Sequence, residues 1–99
     1  MSDPTILVLA SLADGDKHGY AMMEDIQRFA DVRLGPGTLY GAITRLEQQG
    51  WIRAEWGESE NSRRAKYYSL TAAGKKYLQR EEANWERLST AIGLVLKAV

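Results

Sequence analysis

Apolar positions along this 99-residue chain recur first with a helical period, then with a period of two, then with a helical period again. Asp3-Pro4 opens the first helical stretch, an N-cap side chain followed by proline at the first helical position. Thr5 to Ala13 carries Ile6, Leu9 and Leu12 at core spacing, and Asp14-Gly15-Asp16 breaks it. A second helix is predicted from about Gly19 to Ala30. Its buried side is Met22, Met23, Ile26 and Phe29, with Glu24, Asp25 and Arg28 outside. Asp31 to Leu34 is a short link to a third stretch, LGPGTLYGAITRLEQQG, from Leu34 to Gly50. There Pro36 suits the first helical position and Gly50 a left-handed end, while Leu39, Ile43 and Leu46 form an apolar stripe edged by Ala42. The opposite face holds Gly37, Thr38, Gly41, Thr44, Arg45 and Gln48, residues small enough to approach a major groove or able to bond a base edge. A solvated amphipathic helix would show the same pattern.

After Gly50 the period changes. Ile52, Ala54 and Trp56 alternate with Arg53 and Glu55, as in a half-buried strand. Gly57 to Ser62 is a turn-rich tip, and Lys66 to Leu70 returns with Tyr68 and Leu70 on one face and Tyr67 and Ser69 on the other. Two helices joined tightly, the second with an exposed polar face, followed by a hairpin, give a mainly α winged helix-turn-helix with a small β-hairpin. Residues 1–71 are read as this DNA-binding domain and residues 72–99 as a C-terminal dimerisation helix capped by Thr71. That helix carries Leu78, Trp85, Ile92 and Val99 at one heptad position and Leu88 and Val95 at another, with Glu81 interrupting the second series. A partner helix from a second copy would cover the stripe; packing back onto the first helix would cover part of it.

Net charge is zero, so the total says nothing about partners, but the distribution does. Nine basic residues lie between Arg33 and Arg80 against four acidic ones, Glu47, Glu55, Glu58 and Glu60. The absence of cysteine removes disulfides, a thiol nucleophile and zinc-finger ligation. With His18 the sole histidine, no nucleophile–base pair or metal set is visible, and neither an enzyme nor a cofactor is expected. His18 is better suited to starting the second helix. The longest apolar run, Ile6 to Ala10, is too short to span a bilayer, so no membrane partner is expected and a cytoplasmic location is the default.

HGYAMMEDI, DVRLGPGTLYGAITRLEQQGWI and RAKYYSLTAAG, in that order, resemble the PadR family of transcriptional regulators over roughly residues 6 to 76. The resemblance implies a homodimer on a palindromic double-stranded DNA operator, usually repressing a nearby gene, with the C-terminal helices making the dimer. The family commonly has proline after the Tyr of Gly-Thr-Leu-Tyr, where this chain has Gly41 and so a less rigid helix. Glu58 and Glu60 at the wing tip also depart from what phosphate would favour.

The candidate DNA contacts are Tyr20, Thr38, Tyr40, Thr44, Arg45, Gln48, Arg63, Arg64 and Lys66. Tyr40 flanks the apolar stripe, where its ring can pack while its hydroxyl reaches phosphate; a half-buried structural tyrosine is the other reading. Thr38 lies in the first turn, where N–H groups and a hydroxyl can hold phosphate. Arg45 and Gln48 are candidate base readers. Arg63, Arg64 and Lys66 are read as phosphate clamps or as a solvated charge run. Tyr20 is read as a core residue with its hydroxyl towards the DNA backbone. Leu78, Trp85, Leu88, Ile92, Val95 and Val99 would form the dimer seam. Within it, Trp85 and Leu88 are either core or a place for a small aromatic or phenolic effector. The competing function is a winged-helix module that binds protein and never DNA.

Overall fold

A computed structural model describes residues 4–58 and 63–99. In chain order the elements are α1 (Pro4–Ala10), β1 (Lys17–His18), α2 (Gly19–Ala30), α3 (Pro36–Gln48), β2 (Ile52–Glu58), β3 (Arg64–Leu70) and α4 (Ala72–Ala98). The expected cap Asp3 and the tip residue Glu60 lie outside the described residues. The helical bonding of α1 continues at Ser11, whose N–H donates to the Leu7 carbonyl at 3.0 Å. It then tightens into i→i−3 bonds, Leu12 to Leu9 at 3.1 Å and Ala13 to Ala10 at 3.0 Å. That tightening ends the helix three residues short of the Ala13 expected from periodicity.

Three helices converge on one core. Val8, Leu9 and Leu12 come from α1 and the turn after it, Met22 and Ile26 from α2, and Leu39, Ala42, Ile43 and Leu46 from α3. Ile52 of β2 and Tyr68 of β3 close it from the sheet side. Among the described residues no buried side-chain nitrogen or oxygen lacks a hydrogen-bond partner. Phe29 was expected inside and is 79% exposed. Phe29 turns outward at the last turn of α2, where the Arg28 guanidinium carbon lies 5.3 Å from its ring centroid. The ring stands at the rim of a shallow apolar groove lined by Leu7, Ala10, Ala13 and Ile26.

The wing is a three-stranded antiparallel sheet, order β1-β3-β2, where a two-stranded hairpin was expected. Lys17 pairs with Tyr68 and His18 with Tyr67, while β2 and β3 run in register from Ile52↔Leu70 to Glu58↔Arg64. Lys17 anchors the added strand. Its Nζ donates to the Ser11 carbonyl at 2.6 Å and pairs with Asp14 and, at 3.4 Å, with Asp25 of α2. The hydrogen bond from Lys17, then its charge, holds the Asp14 carboxyl below its ordinary range. Immediately after β1, His18 caps α2, its Nδ1 accepting from Ala21 N–H at 3.1 Å. As an acceptor, that nitrogen must be unprotonated.

At the other end of the sheet, Thr71 caps α4 by accepting from Gly74 N–H at 3.0 Å, and donates to the Gly50 carbonyl at 2.6 Å. Gly74 disfavours helix, yet a Cβ here would lie 2.0 Å from the Trp51 carbonyl oxygen, so only glycine lets the helix approach the strand entry. Trp51 stacks on Tyr77 of α4 with centroids 3.7 Å apart, and Tyr77 and Leu78 pack against the core. The first two turns of α4 are therefore fastened to the winged domain. Beyond them the helix runs outward and the molecule reaches 57 Å by 27 Å by 21 Å.

Candidate nucleic-acid interface

α3 buries Leu39, Ala42, Ile43 and Leu46 and turns its other side outward. At 100° per residue, Gly37, Gly41, Thr44 and Gln48 occupy the middle of the outward face, Tyr40 lies at one edge, and Thr38 and Arg45 lie at the other. Thr44 donates its hydroxyl to the Tyr40 carbonyl at 2.9 Å. Arg45 reaches away from the wing and donates to the Thr5 hydroxyl of α1 at 3.0 Å. Gly35 caps the helix without a side-chain bond and Pro36 follows at its first turn, so the N–H groups around exposed Thr38 have no capping side chain.

The Tyr40 edge faces the wing across an open basin of about 830 Å³. His18, Gly19, Tyr20 and Glu24 line its α2 side, and Arg63, Arg64, Lys66 and Trp56 its wing side, with Tyr68 at the floor. A Cβ on Gly19 would meet the Tyr40 hydroxyl at 2.5 Å, so glycine at the start of α2 makes room for that ring. Tyr20, read from sequence as core, is 65% exposed because the N-terminal turn of α2 turns this position into the basin. Burial, then the neighbouring Tyr40 and Glu47, pushes the Tyr68 phenol up.

The structure thus separates the sequence-derived DNA contacts into two groups. Tyr20, Tyr40, Arg63, Arg64 and Lys66 share the basin; Thr38, Thr44, Arg45 and Gln48 lie along α3 outside it. Trp56 is the member that sequence reasoning placed elsewhere. Alternation put it on the half-buried face with Ile52 and Ala54, and it does share that face. The core ends at Ala54 and Tyr68, however, and the indole two residues further on is 62% exposed.

Along α4 the exposed apolar positions are Trp85, Leu88, Ile92, Val95 and Val99, with Leu94 and Leu96 beside them. Leu78, the first member of the expected seam, is half-buried against its own domain.

Residues 8–80 match the model of the transcriptional regulator PadR-like family. The chain belongs to that family. It is 29% identical over 85 residues to a transcriptional regulator of Mycobacterium tuberculosis, covering 86% of this chain and 78% of that one. An uncharacterised 37.1 kDa transposon protein of Streptomyces fradiae is 43% identical over 88 residues, 89% of this chain. The chain spans only 24% of that protein's length. Among solved structures, a PadR family transcription regulator from Clostridium difficile superposes with a TM-score of 0.86 at 27% identity, covering 96% of this chain and 99% of that one. Membership makes the chain a transcriptional regulator rather than an enzyme and implies DNA binding. Among the described residues no helix is long and apolar enough to cross a membrane.

Proposed function

We propose that this PadR-like chain is a homodimeric repressor that reads a palindromic operator with α3 and grips phosphate with the wing. The observation that carries the reading is the outward face of α3 flanked by a basin whose far wall is Arg63, Arg64 and Lys66. A helix in the major groove places flanking phosphates against such a wall, and cations there supply the sequence-independent part of affinity. Two copies joined through α4 would set their recognition helices about 34–36 Å apart, one DNA turn. Exposed Trp85, Leu88, Ile92, Val95 and Val99 support that seam, because water is a poor cover for so long an apolar stripe.

Selection from a random duplex pool tests the reading. A two-fold consensus should emerge, and a pool that never enriches leaves the winged-helix protein-binding module as the function. With the consensus in hand, Arg45→Ala and Gln48→Ala should each make one or two half-site positions permissive, a loss of roughly 1–3 kcal/mol of discrimination. Arg45 would exchange the Thr5 hydroxyl for a base acceptor. An identical consensus in both variants would mean that α3 docks in another orientation.

The seam also suggests an effector. Trp85 and Leu88 from both copies would line an apolar gap between stackable rings, suited to a flat aromatic or phenolic compound. Such a ligand releases DNA only if it binds the free dimer more tightly than the bound one. Replacing Trp51 and Trp56 by Phe leaves Trp85 as the reporter among the chain's 3 tryptophans. Phenolic acids and flat hydrophobic cations should quench it, and the quenchers should weaken operator binding by the wild-type chain. Absence of quenching into the millimolar range assigns Trp85 to the dimer core.

A further inference from the structure

We infer that Trp56 is a positioning residue for DNA binding, a platform that holds Arg64 and Lys66 against the basin ready for phosphate. The inference rests on the reading of the basin as the DNA face. Its starting point is the sheet register. Trp56 lies directly opposite Lys66, and Glu58 directly opposite Arg64, so Trp56, Lys66 and Arg64 occupy one face of the wing. Neighbours directly across and diagonally across a ladder are within reach of a large ring. Both cations use it: the Arg64 guanidinium carbon lies 5.0 Å and the Lys66 Nζ 6.0 Å from the Trp56 ring centroid.

The position has no core to fill. Tyr68, one pair inward, is the last buried residue on this face, and Trp56 lines the open basin with both cations. A tryptophan held in water at the end of a narrow ribbon contributes little to packing, so the two cations are its main partners. Their attraction to the ring quadrupole restricts long side chains that would otherwise sample many rotamers. A guanidinium over a ring still carries its N–H groups at its edges, where phosphate oxygens can accept from them. The platform therefore removes part of the ordering cost of the clamp before DNA arrives.

Affinity for the selected operator and its salt dependence are measured for the wild-type chain, Trp56→Ala, Trp56→Phe, Arg64→Ala/Lys66→Ala, and the triple variant. A cation–π contact at an exposed site corresponds to roughly 2–5-fold in binding. Across two half-sites Trp56→Ala should therefore weaken affinity about 5–30-fold and leave the salt slope nearly intact, because both cations still reach phosphate, while Trp56→Phe recovers much of the affinity. In the Arg64→Ala/Lys66→Ala background, Trp56→Ala should cost nothing further. Wild-type affinity in Trp56→Ala, or an undiminished effect of Trp56→Ala in the background lacking both cations, overturns the platform. Unchanged binding by Arg64→Ala/Lys66→Ala overturns the basin itself as the DNA face, a separate result. A melting temperature matching wild type confirms that Trp56→Ala acts on binding rather than on the fold.

Discussion

Ending the chain after Leu78 should give a folded monomer that binds the operator about 10²–10⁴-fold more weakly than the full chain. The fold should survive because what α4 gives the winged domain lies before the cut. Gly74 fits under the Trp51 carbonyl, Tyr77 stacks on Trp51, and Leu78 packs on the core. What is lost is Trp85, Leu88, Ile92, Val95 and Val99, each about half exposed or more in the single chain. Without them the second half-site is no longer bound as an intramolecular event, and the effective-concentration advantage disappears. Sedimentation and circular dichroism on the truncated chain, beside operator titrations of both lengths, check each part. A full-length chain that is already monomeric at micromolar concentration would sink the prediction.

Where a local residue pair decides an element, the sequence was enough. His18-Gly19 starts α2 and Pro36 starts α3 because a cap and a fixed φ act within one turn. Gly50, at φ +76°, ends α3 as its position suggested. Failures occurred where the answer depends on how far a neighbour extends. A helical period says which side of α2 Phe29 lies on, but not whether a neighbour covers that position. Alternation gives the face of Trp56, but not the point where the core stops. The two-residue strand β1 has no period to detect and exists because Lys17 is held between Ser11, Asp14 and Asp25. The candidate site divides the same way. Residues on α3 were legible from the helical wheel, whereas the basin joining Tyr20 and Tyr40 to Arg63, Arg64 and Lys66 needed the distance between α2 and the wing.

Arg63→Ala with Arg64→Ala should weaken binding to every DNA sequence by the same factor and flatten the dependence of log affinity on log salt. Arg63 precedes β3, Arg64 begins it, and both side chains line the basin, exposed and on the wall facing Tyr40. Each phosphate contact releases condensed counterions and contributes about 0.9 to the slope, so two arginines in each of two protomers contribute up to about 3.6. Relative to molar salt, a change of that size corresponds to roughly a 10³-fold loss of affinity near physiological ionic strength. The consensus selected from a random pool should stay as it was, because phosphate contacts position the protein and carry no base identity. This separates the pair from Arg45 and Gln48, whose loss should relax the consensus and leave the slope nearly intact. Titrations at several salt concentrations, on operator and on unrelated duplex, measure both quantities in one series. A slope equal to that of the wild-type chain would place the two arginines in solvent and the phosphate backbone on another face of the wing.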